Sequence, residues 1–585
     1  MSATERGRRP GPLPPTPLAR ALSACRSQFW MVGAFSGVAN LLQLTVPLYM
    51  MQVFDRVLSA RNTDTLLYLT LIAIFALLVL AALEAARSVV MQRVSTWIEL
   101  RAAPEGFSRA IESQLRGLPY RMEALRDLGV VRGFLGSPGM LSLYDVPWVP
   151  VYLAVIFLLH PLLGWLALGG AALLFGLTLL SELITSRLMQ EANTAALVNH
   201  RRAEAMSRNA EVIDSMGMGR AVLGRWRAGV KTMMPPQTKA GDRAAVILSA
   251  TKFLRLAVQL GVLGVGAWLV LNQQLTAGAS IAASIIMGRA LAPVEQLIGG
   301  WRQLVQARQS HRRLQAFLQM PPMRPAATPP PAPQGRLSVE RVTYGFPGAG
   351  TPMIKGVAFT LEPGESLAVI GPSAAGKTTL IRLLIGTIAP GSGTVRLDGA
   401  DVFLWPREDF GRYIGYLPQD VELFDGTVFQ NIARLGEAEP EEVFAAARLA
   451  GCHEMILRLP QGYDTEIGEG GQHLSGGQRQ MIGLARAMFR TPRFVVLDEP
   501  NSNLDGDSES VLIQSLQRLK AEGSTVVLVS HRPALVQGVD KVLLLRDGQV
   551  EMFGARADVL KRLMGGPAPR PAELPAAQGG AAGAR

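Results

Sequence analysis

Hydrophobic and polar positions divide the chain into two unlike halves. In the first, apolar residues come in long blocks separated by arginine-rich stretches. Residues 66–83, LLYLTLIAIFALLVLAAL, carry no charge. As a helix they would extend about 27 Å, close to one bilayer core. A longer apolar block at 148–181 is interrupted by His160 and Pro161, which predicts a tight hairpin of two membrane helices. With the remaining blocks, the predicted spans are about 29–51, 64–84, 147–160, 162–182, 256–272 and 276–297, inside a helical membrane domain over 21–320.

The polar stretches set the orientation. Arginines from Arg87 to Arg132 separate the second and third spans. Arg201, Arg202, Arg208, Arg225, Arg227 and Lys231 lie between the fourth and fifth. The short connection 52–63 has only Arg56 and Arg61. The positive-inside rule places both long connections in the cytoplasm. Their helical periodicity predicts helices that continue out of the membrane.

The second half has a different rhythm. A proline-rich linker, PPMRPAATPPPAPQG (321–335), is followed by short β-rich runs alternating with helical ones, as in ESLAVI, FVVLDEP and STVVLVS. This predicts an α/β nucleotide-binding domain over 336–564. Residues 1–20 read as a disordered basic tail and 565–585 as a disordered Gly/Ala/Pro tail. No internal repeat stands out.

Composition supports this division. The 585 residues are 49% hydrophobic and only 18% charged, too apolar for an ordinary soluble enzyme. The net charge of +12 has its explanation in cytoplasmic arginines, so no nucleic-acid partner is expected. The basic start before an apolar run resembles a signal peptide. The run to Met51 is too long for a signal core, and no small-residue cleavage site is evident, so a retained span is expected. Cys25 and Cys452 stand far apart without metal spacing, so no disulfide framework is expected.

Chemistry concentrates in the second half. GPSAAGKTT (371–379) follows the strand SLAVI and fits the phosphate-loop pattern in its strand–loop–helix setting. Backbone N–H groups from Gly371, Pro372, Ser373, Ala374, Ala375 and Gly376 onward, proline excepted, would cradle phosphate. Lys377 would face the β and γ phosphates, Thr378 would ligate Mg²⁺, and Thr379 completes the motif. Ala374 stands where glycine is common. Its methyl disfavours left-handed angles, so the loop is expected to avoid them there. At the end of FVVLDEP, Asp498 would hold the Mg²⁺ shell and Glu499 would polarise an attacking water. LSGGQRQ (474–480) reads as a helix start whose N–H groups are open to an anion.

Together these motifs resemble the ATP-binding-cassette superfamily over essentially the whole second half. The resemblance identifies Leu474, Ser475, Gly476, Gly477 and Gln478 as the signature, which contacts the ATP of a partner subunit. It makes Gln419 of YLPQD a Mg²⁺ ligand and catalytic neighbour, Asp505 of NSNLD the D-loop aspartate, and His531 of LVSH the switch histidine. It gives Phe346, or alternatively Tyr344, the adenine-stacking place, and TEIGEGG (465–471) the loop facing the membrane helices. Taken singly, Gln419 reads as a surface glutamine, His531 as a core histidine and Phe346 as ordinary core; the ordered set carries the resemblance. One cassette with six spans implies half a transporter, hence a homodimer using ATP and Mg²⁺, with the type I exporter fold.

VPLYMMQVFDRVLSARNTDTLLYLT (46–70), LYDVPWVPVY (143–152) and MGRALAPVEQLIGGW (287–301) are similar to the permease/ATPase of type I protein secretion systems, of the kind that exports metalloproteases and related glycine-repeat proteins. The resemblance implies an inner-membrane protein with cytoplasmic termini and ATPase domain, a periplasmic adaptor, an outer-membrane channel, and an unfolded polypeptide cargo with an uncleaved C-terminal signal. The short tail before the first span gives no expectation of a leader-cleaving peptidase domain. Lys252, Arg255, Arg289 and Glu295 lie near or within spans, where charge is costly. They suggest a basic-lined translocation path; the six-residue offset of Arg289 and Glu295 fits an intrahelical pair poorly and leaves a cross-helix partner open. DVPW (145–148) reads as a packing corner. Rival readings are export of lipids or small amphiphiles and an ATP-gated channel or sensor.

Overall fold

A computed structural model describes residues 16–563 apart from 347, 349 and 505. The expected tail at 565–585 lies outside the described residues, as do residues 1–15. The chain divides into two compact units, Met1–Pro321 and Pro322–Arg585.

The first unit is helical. Long helices run Thr63–Leu115, Pro161–Ser207, Gly219–Leu271 and Ala277–Leu318. At 1.5 Å per residue these are about 60–80 Å long, at least twice the hydrocarbon thickness of a bilayer. The apolar blocks and their polar continuations are therefore single helices. Among the described residues five helices are long and apolar enough to cross a membrane: Arg26–Ala60, Thr63–Leu115, Pro138–Leu159, Gly219–Leu271 and Ala277–Leu297. The fourth expected span, about 162–182, falls on the start of the Pro161–Ser207 helix, of which Pro161–Leu177 stands as an apolar stretch, so six spans are not established exactly.

Local chemistry sets the reversals between helices. The Asn62 side chain accepts from the N–H groups of Asp64 and Thr65 at 2.9 and 3.0 Å and opens the helix at Thr63. His160 takes extended angles, as expected before a proline, and its Nδ1 accepts from the Leu162 N–H at 3.2 Å. Asp55 sits in a π-turn, Val53–Val57. Its carboxylate accepts from the Thr276 hydroxyl (2.6 Å) and the Gly278 N–H (2.8 Å), so it complements the positive end of the Ala277–Leu318 helix.

Two cores hold the unit together. One joins Tyr152, Ile156, Leu163, Val262, Leu269, Ile286, Met287 and Ala290. The other joins Leu18, Ala21, Ile98, Leu128, Leu314 and Phe317. Leu18 is fully buried, on a helix Pro17–Ala24 capped by Thr16. This corrects the expected 1–20 tail: an apolar stripe on Leu18 and Ala21 docks residues 17–20 as part of the fold. Charge is buried only with partners. Arg87 meets Asp145 at 2.7 Å, and both Asn40 (2.8 Å, to Asp145) and Ser36 (3.0 Å, from Arg87) complete the cluster. The DVPW segment is thus anchored by buried Asp145, and half-buried Trp148 lies against Gly37, while Pro147 stays exposed.

The second unit contains two sheets. Strands β1 (Leu337–Tyr344), β2 (Ile354–Leu361), β4 (Ser392–Leu397) and β5 (Ala400–Asp401) pair antiparallel in the order β2-β1-β4-β5. The other sheet adds β3 (Ser366–Ile370), β6 (Ile414–Leu417), β7 (Phe494–Asp498), β8 (Thr525–Val529), β9 (Lys541–Arg546) and β10 (Gln549–Ala555), in the order β10-β9-β3-β8-β7-β6. All but β10 run parallel. Every residue of β7 and β8 is buried, as expected of a parallel sheet covered on both faces. The linker is fastened to this unit. The Arg324 guanidinium donates to the Phe403 and Gly386 carbonyls at 2.9 and 2.6 Å, and the Asp398 carboxylate accepts the N–H groups of Gln334 and Gly335 at 2.8 Å each.

The buried ion pair yields a stability test. Asp145→Ala leaves Arg87 without its counter-charge and is expected to cost about 3–5 kcal/mol. The double change Arg87→Met with Asp145→Leu should recover most of that. Thermal unfolding of the purified variants measures both; equal loss in single and double variants would contradict this.

Candidate functional site

The parallel register places the carboxyl ends of β3, β8, β7 and β6 at one edge of the sheet, where α/β proteins bind ligands. Each strand delivers expected groups. After β3 comes the loop 371–376, which leads into the helix Lys377–Leu384. β7 ends on Asp498, with Glu499 next. β8 is followed by Ser530 and His531, and β6 by Pro418 and Gln419.

The phosphate loop is shaped by its backbone. Gly371 has φ 152°, and a Cβ there would meet the Leu545 carbonyl oxygen at 2.1 Å. Gly376, at φ 100°, precedes the helix. Ala374 corrects the sequence reading: its φ is 63°, a left-handed angle despite the methyl group. The closed loop outweighs a local cost of about 1–2 kcal/mol. Lys377 Nζ donates to the Gly371 and Pro372 carbonyls at 2.8 and 3.0 Å. Burial lowers the Lys377 pKa, against the pull of the Glu499 and Asp498 charges.

Asp498 is buried, and desolvation raises its carboxyl pKa, opposed first by a hydrogen bond from Thr378. Its Oδ2 is buried without a hydrogen-bond partner. A bare carboxylate oxygen beside a hydroxyl is a fitting place for a hard cation such as Mg²⁺. Among the described residues no group of three His, Cys, Asp or Glu side chains could hold a metal alone. Such an ion would draw further ligands from phosphate and water.

Glu499 is the centre of the cluster. Its N–H donates to the Val529 carbonyl at 3.0 Å, and its φ is 49°. Gln419 Nε2 donates to Glu499 Oε2 at 3.2 Å, and His531 Nε2 stands 3.8 Å from Oε1. The fold thus gathers Gln419, Glu499 and His531 from three strand ends. This geometry suits a carboxylate that orients a water, flanked by an amide and an imidazole.

The remaining candidates lie on neighbouring elements. Ser475 caps the helix Gly476–Met488 in a capping box: its hydroxyl accepts from the Gln478 N–H (3.2 Å), and the Gln478 Oε1 accepts from the Ser475 N–H (2.9 Å). No hydrogen bond among the described residues uses the Gly476 or Gly477 N–H, which leaves two donors at a positive helix end. Leu474 anchors this turn in the core. Phe346 is exposed and meets Tyr344 edge-on at 5.5 Å, so Phe346 offers the more accessible ring. Asp505 lies outside the described residues. In the other unit, Arg255 and Glu295 form a cross-helix pair at 2.7 Å, whereas Lys252 and Arg289 are exposed. Sequence reasoning missed Gln480, which is buried beneath the signature turn and donates to the Pro500 carbonyl at 3.0 Å. Its signal was a glutamine followed by the buried run MIGLA.

Comparison with known proteins follows this division. Residues 354–502 match the family described as ABC transporter, and residues 122–292 match the ABC transporter transmembrane region. The chain is 40% identical to the type I secretion system ATP-binding protein PrsD of Rhizobium meliloti, over 96% of each chain. It is 30% identical to the cyclolysin secretion/processing ATP-binding protein CyaB of Bordetella pertussis, over 89% of this chain and 74% of that one. Among solved structures, a bacterial Atm1-family ABC exporter with ATP bound superposes with a TM-score of 0.80 at 22% identity, covering 92% and 97% of the two chains. That likeness shows the fold.

Ala374 offers a direct check of the loop geometry. Ala374→Gly removes the left-handed penalty but adds unfolded-chain entropy, so a gain of no more than about 1 kcal/mol in unfolding free energy is expected, with nucleotide binding kept. Ala374→Val should weaken nucleotide binding instead. Thermal unfolding and nucleotide titration measure the two effects; a Val variant that binds as the parent does would contradict the assigned angle.

Proposed function

This chain belongs to the ABC transporters of type I secretion, and from that premise we propose that it exports unfolded polypeptide across the bacterial inner membrane. It is an integral membrane protein and a transport ATPase. The observation that carries the ATPase reading is the convergence of Lys377, Asp498, Glu499, Gln419 and His531 at one sheet edge. The polypeptide cargo is supported by the likeness to PrsD and CyaB, whose names place them in secretion.

In this reading Phe346 stacks on adenine and the loop Gly371–Thr379 holds the phosphates. Thr378, Gln419 and Asp498 hold Mg²⁺, which supplies charge neutralisation at the phosphates when bound. Glu499 orients and polarises the attacking water, and His531 and Gln419 fix that carboxylate. The signature Leu474–Gln478, through its Gly476 and Gly477 N–H groups, free among the described residues, faces the nucleotide of a second copy. ATP thereby favours a closed homodimer and hydrolysis reopens it. A periplasmic adaptor and an outer-membrane channel continue the route. Cargo is expected among metalloproteases and other glycine-repeat proteins with an uncleaved C-terminal signal. The ATPase unit and both termini face the cytoplasm, by the placement of arginine.

The membrane charges divide into two kinds. Arg255 and Glu295 are a pair within one protomer, so they stabilise the helix contact. Lys252 and Arg289 remain as candidates for a basic path, because both are exposed.

Secretion tests this proposal. The protein is produced in a Gram-negative host with an adaptor, a channel and a glycine-repeat protease as cargo. Glu499→Gln is expected to lower ATP turnover by about 100-fold or more and to abolish cargo in the medium. Secretion equal to the parent would contradict the role of Glu499; ATP turnover without secretion under any adaptor would point to lipid or amphiphile cargo. In the same assay Arg289→Gln should reduce export of acidic cargo, and unchanged export would remove the path reading.

A further inference from the structure

Glu499 occupies a costly backbone angle, φ 49°. A non-glycine residue holds a left-handed conformation only where its surroundings over-determine it. The Ser502 N–H closes the turn by donating to the Glu499 carbonyl at 3.2 Å, and contacts from two neighbouring elements brace it. On one side the Val529 carbonyl accepts the Glu499 N–H at 3.0 Å. On the other, Gln480 Nε2 donates to the Pro500 carbonyl at 3.0 Å and more weakly to the Glu499 carbonyl at 3.5 Å.

Gln480 is built for this position. It is 1% exposed and sits on the helix Gly476–Met488, one turn after the signature donors. Its Oε1 is buried without a hydrogen-bond partner. An amide with one orphaned atom would not persist for packing alone, since an apolar side chain of equal size would avoid that desolvation cost. The same helix start lies tight against the segment that follows Glu499. A Cβ on Gly477 would stand 3.1 Å from the Asn503 carbonyl oxygen. A small displacement of the signature turn therefore pushes on the Glu499–Asn503 backbone.

We propose that Gln480 is a positioning residue that ties the signature helix to the turn holding Glu499. An anion gripped at Ser475–Gly477 then sets the carboxylate of the same chain. This deepens the proposed function and rests on its assignment of Glu499. In a head-to-tail dimer, the nucleotide at one site would thus tune the glutamate of the other.

The test measures steady-state ATP hydrolysis by full-length protein in lipid. Gln480→Met keeps the volume and loses the donor; Gln480→Asn keeps the amide on a shorter stem. For Gln480→Met, kcat is expected to fall about tenfold, the rate equivalent of one lost hydrogen bond, with KM for ATP within about twofold of the parent. Gln480→Asn should retain more kcat than Gln480→Met while being the less thermally stable of the two. A purely packing role gives the opposite ranking of kcat, because Met fills the space and Asn leaves a void. That ranking, or parental kcat in Gln480→Met, would overturn the inference. If either variant does not fold, the other still decides through its split between kcat and KM; kcat and KM changing together would count against it. Glu499→Gln runs alongside. Parental turnover in that variant would refute the role of Glu499 itself, whereas its loss with unaffected Gln480→Met would refute only the link.

Discussion

The parallel hydrogen-bonded register of β3, β8, β7 and β6 is the constraint on which the chemistry of this chain depends. It aligns the strands by backbone alone, so their carboxyl ends must finish at one edge. Lys377, Asp498, Glu499, His531 and Gln419 come from stretches far apart in sequence. Nothing in their side chains would assemble them. Once the sheet forms, the buried apolar residues of β7 and β8 fix the depth of each end. What remains is fine positioning, which falls to hydrogen bonds: Val529 to the Glu499 N–H, Gln419 to its carboxylate, Gln480 to the following carbonyl.

The membrane unit follows a different rule. Its helices gain little by burying apolar surface away from lipid, so specificity comes from polar contacts and close approaches. Arg87 with Asp145, Arg255 with Glu295, and Asp55 with the start of Ala277–Leu318 each join two different elements. The Thr63–Leu115 helix meanwhile exposes Leu71, Ile72, Phe75 and Leu78, a surface suited to lipid or another helix.

Most of this was legible in the sequence where the signal was local. The uncharged blocks, the His160–Pro161 break and the ordered nucleotide motifs all depend on neighbours within a few residues. The antiparallel sheet β2-β1-β4-β5 was not read, because its pairings depend on distant partners and irregular register. Leu18 was assigned to a tail, since the arginines and prolines around it outweigh a two-residue apolar stripe. Ala374 was expected to avoid left-handed angles, and the loop closure overrode that preference. Gln480 was quoted within its motif but given no role, because its partner is a backbone carbonyl that carries no sequence signature.

A polypeptide exporter must sense polypeptide at its ATPase. The most direct measurement is ATP hydrolysis by the purified protein in lipid, with and without an unfolded C-terminal segment of a glycine-repeat protease. Glu499→Gln serves as the control for turnover. The segment is expected to change the turnover of the parent protein and not that of the variant. Turnover indifferent to the segment yet stimulated by a lipid or small amphiphile would contradict polypeptide export.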